Sequence, residues 1–174
     1  MRIASAITLL IMSNFLVAIG RPIAESDALQ LNLRNLTQQH SFGLKDSVVL
    51  DFEIINSSSE PVGVFAKLGM GFQGGVILHI LDTSGAEVQP PTLPHDSLDS
   101  RTMQDAKNFF ELQPGQFFGT RQRFVVSELV SKPGHYKLLA EYHCPVDPKY
   151  AKVGNFWSIE RKSVVSTEME FNVD

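Results

Sequence analysis

The side chains best suited to chemistry gather in one stretch late in the chain. His135, His143, Cys144 and Asp147 offer the nitrogen, sulfur and oxygen donors that zinc takes in proteins. Their spacing matches no zinc motif, which favours ordinary solvated or hydrogen-bonded imidazoles. Metal binding by this set is therefore the alternative hypothesis, to be weighed against a module that binds a partner and no metal.

Cys144 is the single cysteine of the chain, and it directly follows His143. A cysteine nucleophile needs a base that activates its thiolate. Adjacent side chains of a strand point to opposite faces, so this adjacency argues against such a pair. The sequence also lacks the serine-hydrolase elbow, the H-E-x-x-H motif and a phosphate-binding glycine loop. We therefore expect no enzyme and no cofactor, with Cys144 buried as a small apolar side chain.

The first residues carry the marks of a secretory signal. Arg2 precedes a mostly apolar stretch at 3–19, and Ala18 and Gly20 place small residues before a cleavage point. The stretch is shorter than the roughly 20 apolar residues that cross a bilayer, and it contains polar residues. We expect a signal peptide at residues 1–20, with cleavage as late as residue 24.

Cleavage of the signal would leave residues 25–174 as a single domain, secreted or periplasmic. The full chain has a net charge of −4, and a mildly acidic domain lacks the basic footprint of a nucleic-acid-binding protein. No later stretch is long and apolar enough to span a bilayer. The expected partner is another exported protein or a cell-surface component, and neither nucleic acid nor membrane.

Apolar and polar residues alternate with a period of two over much of the chain, which is typical of strands buried on one face. The clearest examples are 29–33, 48–54, 136–142 and 165–173. Residues 82–85 (Asp-Thr-Ser-Gly) are typical of a turn. We therefore predict that 86–88 returns beside 76–81 as its hairpin partner. One helical turn is expected at 127–131. Some seven to nine short strands separated by turn signals predict an all-β sandwich.

The segment Leu-Val-Ser-Lys-Pro-Gly-His-Tyr at 129–136 resembles the tyrosine corner of immunoglobulin-like and fibronectin-type sandwiches. In that motif Gly134 would supply the turn, and the Tyr136 hydroxyl would bond back to the backbone of the preceding crossover. The turns at 56–62 and 110–115 look like those of such exported domains. The resemblance covers residue 29 to the C-terminus. It implies an immunoglobulin-like antiparallel β-sandwich, which specifies a fold and carries no chemistry.

Three loops, at 69–75, 90–108 and 145–157, could form a contact surface, because rigid strands position loops at the ends of a sandwich. Their aromatic residues are candidate partner contacts: Phe72, Tyr150, Phe156 and Trp157. The competing interpretations are a glycine bulge in the first loop and an aromatic cap on the core in the third. The glycine run also faintly resembles the loop of immunoglobulin-like inhibitors of papain-type proteases, whose other loop signatures are missing.

The sequence as a whole predicts an exported, non-catalytic module that binds a partner or supports an assembly, with an unknown ligand. Two N-x-S/T triplets, beginning at Asn35 and Asn56, fit glycosylation acceptors of a eukaryotic secretory path. Such triplets also arise by chance, so the sequence leaves open whether either asparagine carries a glycan.

Overall fold

A computed structural model of the chain describes residues 28–37, 39, 41–71, 74–93, 105–147, 156–158, 160 and 163–174. The predicted signal peptide lies outside these residues. Within the described ranges, no helix has the length and apolar character needed to cross a membrane.

Besides a three-residue 3-10 helix at Ala106–Asn108, eleven strands and one short α-helix make up the regular structure of the described residues. They are β1 (Leu29–Asn35), β2 (Ser41–Phe42), β3 (Ser47–Asn56), β4 (Val62–Phe65), β5 (Gly69–Met70), β6 (Gly75–Leu81), β7 (Phe109–Leu112), β8 (Phe117–Val125), α1 (Val126–Leu129), β9 (Gly134–Tyr142), β10 (Val164–Val165) and β11 (Met169–Val173). Three of the strands have only two residues, which leaves eight longer ones. The all-β fold class predicted from the alternation is confirmed.

The strands form two main sheets and one small sheet. The first sheet has the order β1-β3-β8, and the second has the order β2-β11-β9-β6-β5, with β10 also beside β9. The small sheet pairs β4 with β7. Most pairs are antiparallel, as predicted, but the two-residue pairings of β2 with β11 and of β5 with β6 are parallel.

The alternating pattern buries one face of each main sheet. In β3, Val48, Leu50, Phe52 and Ile54 are fully buried, and the residues between them are only half-buried. Inner residues of both main sheets belong to a single hydrophobic cluster. Full burial of such a side chain contributes roughly 1.5–3 kcal/mol, so packing holds the two sheets together.

The terminal strand predicted at 165–173 is two strands, which corrects that prediction. β10 and β11 both pair with β9. Val165 lies opposite Glu141 and Met169 lies opposite Leu138, so an advance of four residues in the terminal segment matches an advance of three residues in β9. One extra residue makes a β-bulge. Ser166 spans it: its N–H donates to the Ala140 carbonyl (2.8 Å) and its hydroxyl accepts from the Ala140 N–H (2.9 Å). The bulge reverses the alternation, so Val165 is 54% exposed.

The crossover from the first sheet to the second runs through α1 into β9. Glu128 caps the helix by accepting a hydrogen bond from the Val125 N–H (2.8 Å). The Tyr136 hydroxyl donates to the carbonyl of Lys132 (2.9 Å), which is the contact that defines a tyrosine corner. A Cβ on Gly134 would lie 3.3 Å from that hydroxyl, so glycine leaves room for the tyrosine ring.

Candidate functional site

A tight turn after β6 positions the first carboxylate of the candidate site. The Asp82 carboxylate accepts hydrogen bonds from the Ser84 N–H (2.8 Å), the Ser84 hydroxyl (2.5 Å) and the Ala86 N–H (3.0 Å). The Ser84 hydroxyl and then the Ala86 N–H hold the pKa of Asp82 below its usual value. The chain then returns beside β6, with Glu87 bridged to Leu81 as the hairpin prediction required.

His79 lies between two carboxylates on the outer face of the second sheet. Its Nδ1 is 2.9 Å from Glu87 Oε1, and its Nε2 is 2.9 Å from Glu141 Oε2. His79 belongs to β6, Glu141 to β9 and Glu87 to the returning arm, so three segments meet here. We call this group the Glu87–His79–Glu141 triad. The His79 and Glu141 side chains are half-buried, while that of Glu87 is 52% exposed.

Both carboxylates favour the charged imidazolium. Burial lowers the pKa of His79, but the hydrogen bonds to Glu87 and Glu141 outweigh burial and leave that pKa raised. The pKa of Glu141 is lowered, chiefly by a hydrogen bond from the Ser163 hydroxyl and then by His79. When His79 is protonated, it has a donor on each ring nitrogen and donates to both carboxylates at once.

We expect the coupling between His79 and Glu141 to stabilise the fold at mildly acidic pH and to vanish at alkaline pH. A raised histidine pKa adds stability that is complete below the unfolded value, 6.5, and is lost as the pH rises through the folded value. The lowered carboxylate pKa keeps the Glu141 contribution present above its unfolded value, 4.5, and lost only as the pH falls through the folded value.

A double-mutant cycle of His79→Gln and Glu141→Gln, read by urea unfolding, should therefore give a coupling of about 1 kcal/mol near pH 5.5. The same cycle near pH 9 should give a coupling close to zero. A coupling that stays constant between these two conditions would contradict the charged triad.

A groove of about 330 Å³ opens beside Glu87, between β5, β6 and the returning arm. Apolar side chains form much of its lining, among them Met70, Ile77, Pro90, Pro91 and Leu93. Glu87, Gln89 and Thr92 contribute its polar side chains. We call this feature the Glu87 groove. Its size and mixed lining suit a small apolar group with one polar end.

One wall of the Glu87 groove rests on a loop built from glycines. The Gly69 N–H donates to the Gly74 carbonyl (2.9 Å), and the Gly71 N–H donates to the Val76 carbonyl (2.7 Å). Gly71 has φ 85°, a left-handed conformation that glycine adopts without steric cost. A Cβ on Gly74 would lie 2.3 Å from the Gly69 carbonyl carbon. The loop is therefore compact, and residues 72–73 lie outside the described residues.

The hydrogen bonds of the triad fix the positions of its two carboxylates. Both ring nitrogens of His79 are engaged by carboxylates, so neither is free to accept a proton as a general base. The two nitrogens point apart, so one metal ion could not contact the ring and both carboxylates at bonding distance. Among the described residues, no three His, Cys, Asp or Glu side chains form a metal-ligand group. The consequence of the triad is a carboxylate, Glu87, fixed at the rim of the groove.

The late His/Cys/Asp set does not form a site, which corrects the metal hypothesis. His135 begins β9 and His143 follows its end, so they are separated by roughly 25 Å of extended strand. Cys144 is fully buried, and burial raises the pKa of its thiol to about 12. His143 is also buried, Asp147 is half-buried, and His135 is exposed with its Nδ1 2.6 Å from Asn172 Oδ1.

Two of the four predicted partner contacts belong to the core. Phe156 and Trp157 are 7% and 2% exposed. Phe156 packs edge-to-face on Phe109 with ring centroids 5.0 Å apart, and the backbone N–H of Trp157 donates to the Gly63 carbonyl (2.7 Å). Their burial makes them the aromatic cap, so they are not available to a partner. The other two, Phe72 and Tyr150, lie outside the described residues.

Sequence reasoning did not predict the grouping of His79 with Glu87 and Glu141. The available signal was weak: the predicted hairpin brings 86–88 back beside 76–81, so Glu87 and His79 could have been placed near each other. Glu141 could not be found this way, because its proximity depends on pairing between β6 and β9, which are far apart in sequence.

No protein-family model matches the chain, and no curated protein matches it. Solved structures that it resembles include the sporulation control protein Spo0M from Bacillus subtilis, with a TM-score of 0.44, 7% identity, and coverage of 84% of this chain and 49% of that one. A β-glucosidase from Erythrobacter marinus has a TM-score of 0.39 and 14% identity, with coverage of 84% and 15%. The CARDB domain of a Pyrococcus furiosus protein has a TM-score of 0.37 and 10% identity, with coverage of 84% and 87%.

The chain spans less than half the length of the Spo0M protein and about a seventh of the β-glucosidase. At identities of 7–14%, these similarities are limited to the backbone fold and carry no information on ligand or activity.

Proposed function

We propose that this protein is an exported, non-catalytic binding module of immunoglobulin-like architecture, and that it holds its ligand in the Glu87 groove. The observation that carries this proposal is the combination of a partly apolar groove with a carboxylate fixed at its rim by His79. A rigid sheet supports β6, and the Asp82 turn fixes the arm that bears Glu87. Recognition sites of this type combine apolar contact area with a few precisely placed polar groups.

The groove favours a ligand with an apolar body and a cationic end. Met70, Ile77 and Leu93 would contact the apolar part, and Glu87 would accept hydrogen bonds from an ammonium or guanidinium group. Pro90 and Pro91 lack backbone N–H groups, so this stretch of the lining presents no backbone donor to an anion. A lysine-containing segment of another exported protein or of a cell-surface component has this chemistry.

A binding role fits the triad better than catalysis does. General acid–base catalysis needs a titratable group that can reach the substrate proton. Here both ring nitrogens of His79 are already engaged by Glu87 and Glu141, and the buried Cys144 thiol has a raised pKa. These groups stabilise the rim of the groove, where Glu87 presents a carboxylate to a bound ligand.

Export can be tested through the mass of the mature protein. We expect the form recovered from the exported fraction to begin at Arg21 or, after the later cleavage, at Glu25, because the small residues that precede these two positions suit signal peptidase. Intact-mass spectrometry distinguishes the two starts. Recovery of the full-length chain from the cytosol alone would refute export and leave the groove proposal standing.

Ligand chemistry can be tested with two small probes that share an apolar body and differ in charge. Phenethylammonium should bind the mature protein with a Kd of about 1 mM, whereas phenylpropionate should bind at least about tenfold more weakly. Glu87→Gln should erase this difference, because it removes the charge at nearly constant volume. Glu111→Gln, a change to an exposed carboxylate on β7, serves as the control and should preserve it. Equal affinity for both probes in the unmodified protein would sink the proposal.

A further inference from the structure

β8 is an edge strand whose free side is available for pairing. It has nine residues and, among the residues that the structure describes, it pairs with β3 alone. The Asn56 N–H donates to the Gln116 carbonyl and the Val126 N–H donates to the Asp46 carbonyl, so even-numbered residues of β8 face β3. The backbone groups of its odd-numbered residues, at 117, 119, 121 and 123, therefore point outward.

This edge differs from the other edge of the same sheet. β1, at the far side, lies against β9 and β10 of the second sheet. Among the described residues, no strand of the second sheet lies against β8 to a comparable extent, and Phe117 on its outer face is 66% exposed. An uncovered edge of this length is a template for another strand.

The outer face of β8 carries both a cationic group and a slot that could receive one. Arg121 is 65% exposed and lies 3.4 Å from Asp51. Beside it, Gly119 leaves a shallow groove of about 320 Å³, which Asp51 and Glu53 also line. A Cβ on Gly119 would lie 2.4 Å from the Phe52 carbonyl oxygen, so the slot is a fixed consequence of the strand's close approach to β3.

We propose that two copies of this chain pair through β8, antiparallel, about a two-fold axis at Thr120. Arg121 of each copy then lies opposite Gly119 of the other and enters the slot beside Asp51 and Glu53. Phe117 of each copy lies opposite Arg123 of the other, which permits a cation–π contact. The same patch serves both copies, so the assembly closes at a dimer with one continuous six-stranded sheet.

Charge selects this register over its neighbours. An axis at Arg121 would place that arginine opposite its own copy, and an axis at Gln122 would place Arg121 opposite Arg123. Like charges directly opposite each other destabilise a strand pair. An axis at Gly119 or earlier runs the pairing into the turn at Gly115, which shortens the paired strands.

A cysteine placed at the two-fold axis tests the register of the β8 pairing directly. In this pairing Thr120 lies opposite itself in a non-hydrogen-bonded pair, with Cα atoms about 4.5 Å apart. Gln122 lies roughly 14 Å from its own copy, beyond the reach of a disulfide. The mature Thr120→Cys protein should therefore form a disulfide-linked dimer on mild oxidation, and the matched Gln122→Cys protein should not. The native Cys144 is buried and stays out of this chemistry.

Sedimentation equilibrium of the mature protein tests the charge argument. Arg121→Glu should raise the dimer Kd at least about tenfold, because it repels Asp51 and Glu53 of the other copy. Lys137→Glu is the control: it reverses the charge of an exposed, ion-paired cation on the second sheet, away from β8, and should leave the Kd unchanged. A protein that stays monomeric up to about 1 mM, or Thr120→Cys and Gln122→Cys proteins that link equally, would overturn the proposal. Neither result bears on the Glu87 groove, which lies on the other sheet.

Discussion

Replacing Asn56 by alanine should lower the free energy of unfolding by about 3 kcal/mol. Asn56 ends β3 and is completely buried. Its side-chain amide donates to the carbonyls of Glu60 and Leu112, both at 2.8 Å, and its Oδ1 accepts from the Ser58 N–H (2.9 Å) and hydroxyl (2.7 Å). These bonds fasten the turn after β3 to the end of β7. Alanine would leave the Leu112 carbonyl without this donor in the interior, which incurs its full desolvation penalty.

Asn35→Ala is the matched control for this experiment. Asn35 also ends a strand, and its Oδ1 also accepts from a backbone N–H two residues later, that of Thr37 (2.8 Å). Its amide makes only a long contact of 3.4 Å with Gln39, in exposed surroundings. We expect Asn35→Ala to cost about 1 kcal/mol or less in the same urea titration. Equal losses for the two variants would contradict the role assigned to burial at Asn56.

The same contacts bear on the glycosylation question. A glycan on Asn56 would replace an amide hydrogen that the folded chain uses for one of two buried bonds, so the native structure has no room for it. Asn35 is half-buried at the end of β1, and its triplet remains an open candidate.

Gly74→Ala should destabilise the fold by about 3 kcal/mol as well. The added Cβ would lie 2.3 Å and 2.4 Å from the carbonyl carbon and oxygen of Gly69, and 2.6 Å from the Met70 oxygen. All three are backbone atoms of the glycine loop, so no side chain can rotate away. The loop would have to open, which breaks the hydrogen bond from the Gly69 N–H to the Gly74 carbonyl. Urea unfolding gives the loss directly.

Gly43→Ala is the control for Gly74→Ala, because a Cβ at Gly43 would make only ordinary contacts. Its Cβ would meet only the Asp46 side chain, at 3.4 Å, which is normal van der Waals contact. We expect a change within about 0.5 kcal/mol. If Gly74→Ala were as well tolerated as Gly43→Ala, the glycine loop would not have the compact form described above. The Glu87 groove would then lack its fixed wall.

The sequence was most informative where a local alternation of apolar and polar residues is enough to identify a strand. The alternation at 48–54 and 136–142 identified β3 and β9, because each strand buries one face only. The turn chemistry at 82–85 identified the hairpin arm that carries Glu87. The bulge near Ser166 could not be read this way, since Val165 and Thr167 continue the apolar and β-branched pattern although their faces have changed.

Features that depend on contacts between distant segments were beyond the sequence. The triad requires β6 beside β9, and the free edge of β8 requires the strand order β1-β3-β8. The predicted site that grouped His135 with His143 was wrong. The two residues are close in sequence, but an extended strand separates residues eight positions apart by a long distance in space. Trp157 and Phe156 could have faced either way, and core packing against Phe109 decided for burial.

The central claim is that the Glu87 groove is the contact site of a binding module. The most direct test is to map phenethylammonium onto the ¹⁵N-labelled mature protein by two-dimensional NMR. We predict saturable shifts at the backbone amides of Ile77, Glu87 and Leu93, all of which line the groove, and their loss in the Glu87→Gln protein. Shifts concentrated instead at the second groove of the same face, around Asp82, His135 and Lys137, would contradict the account.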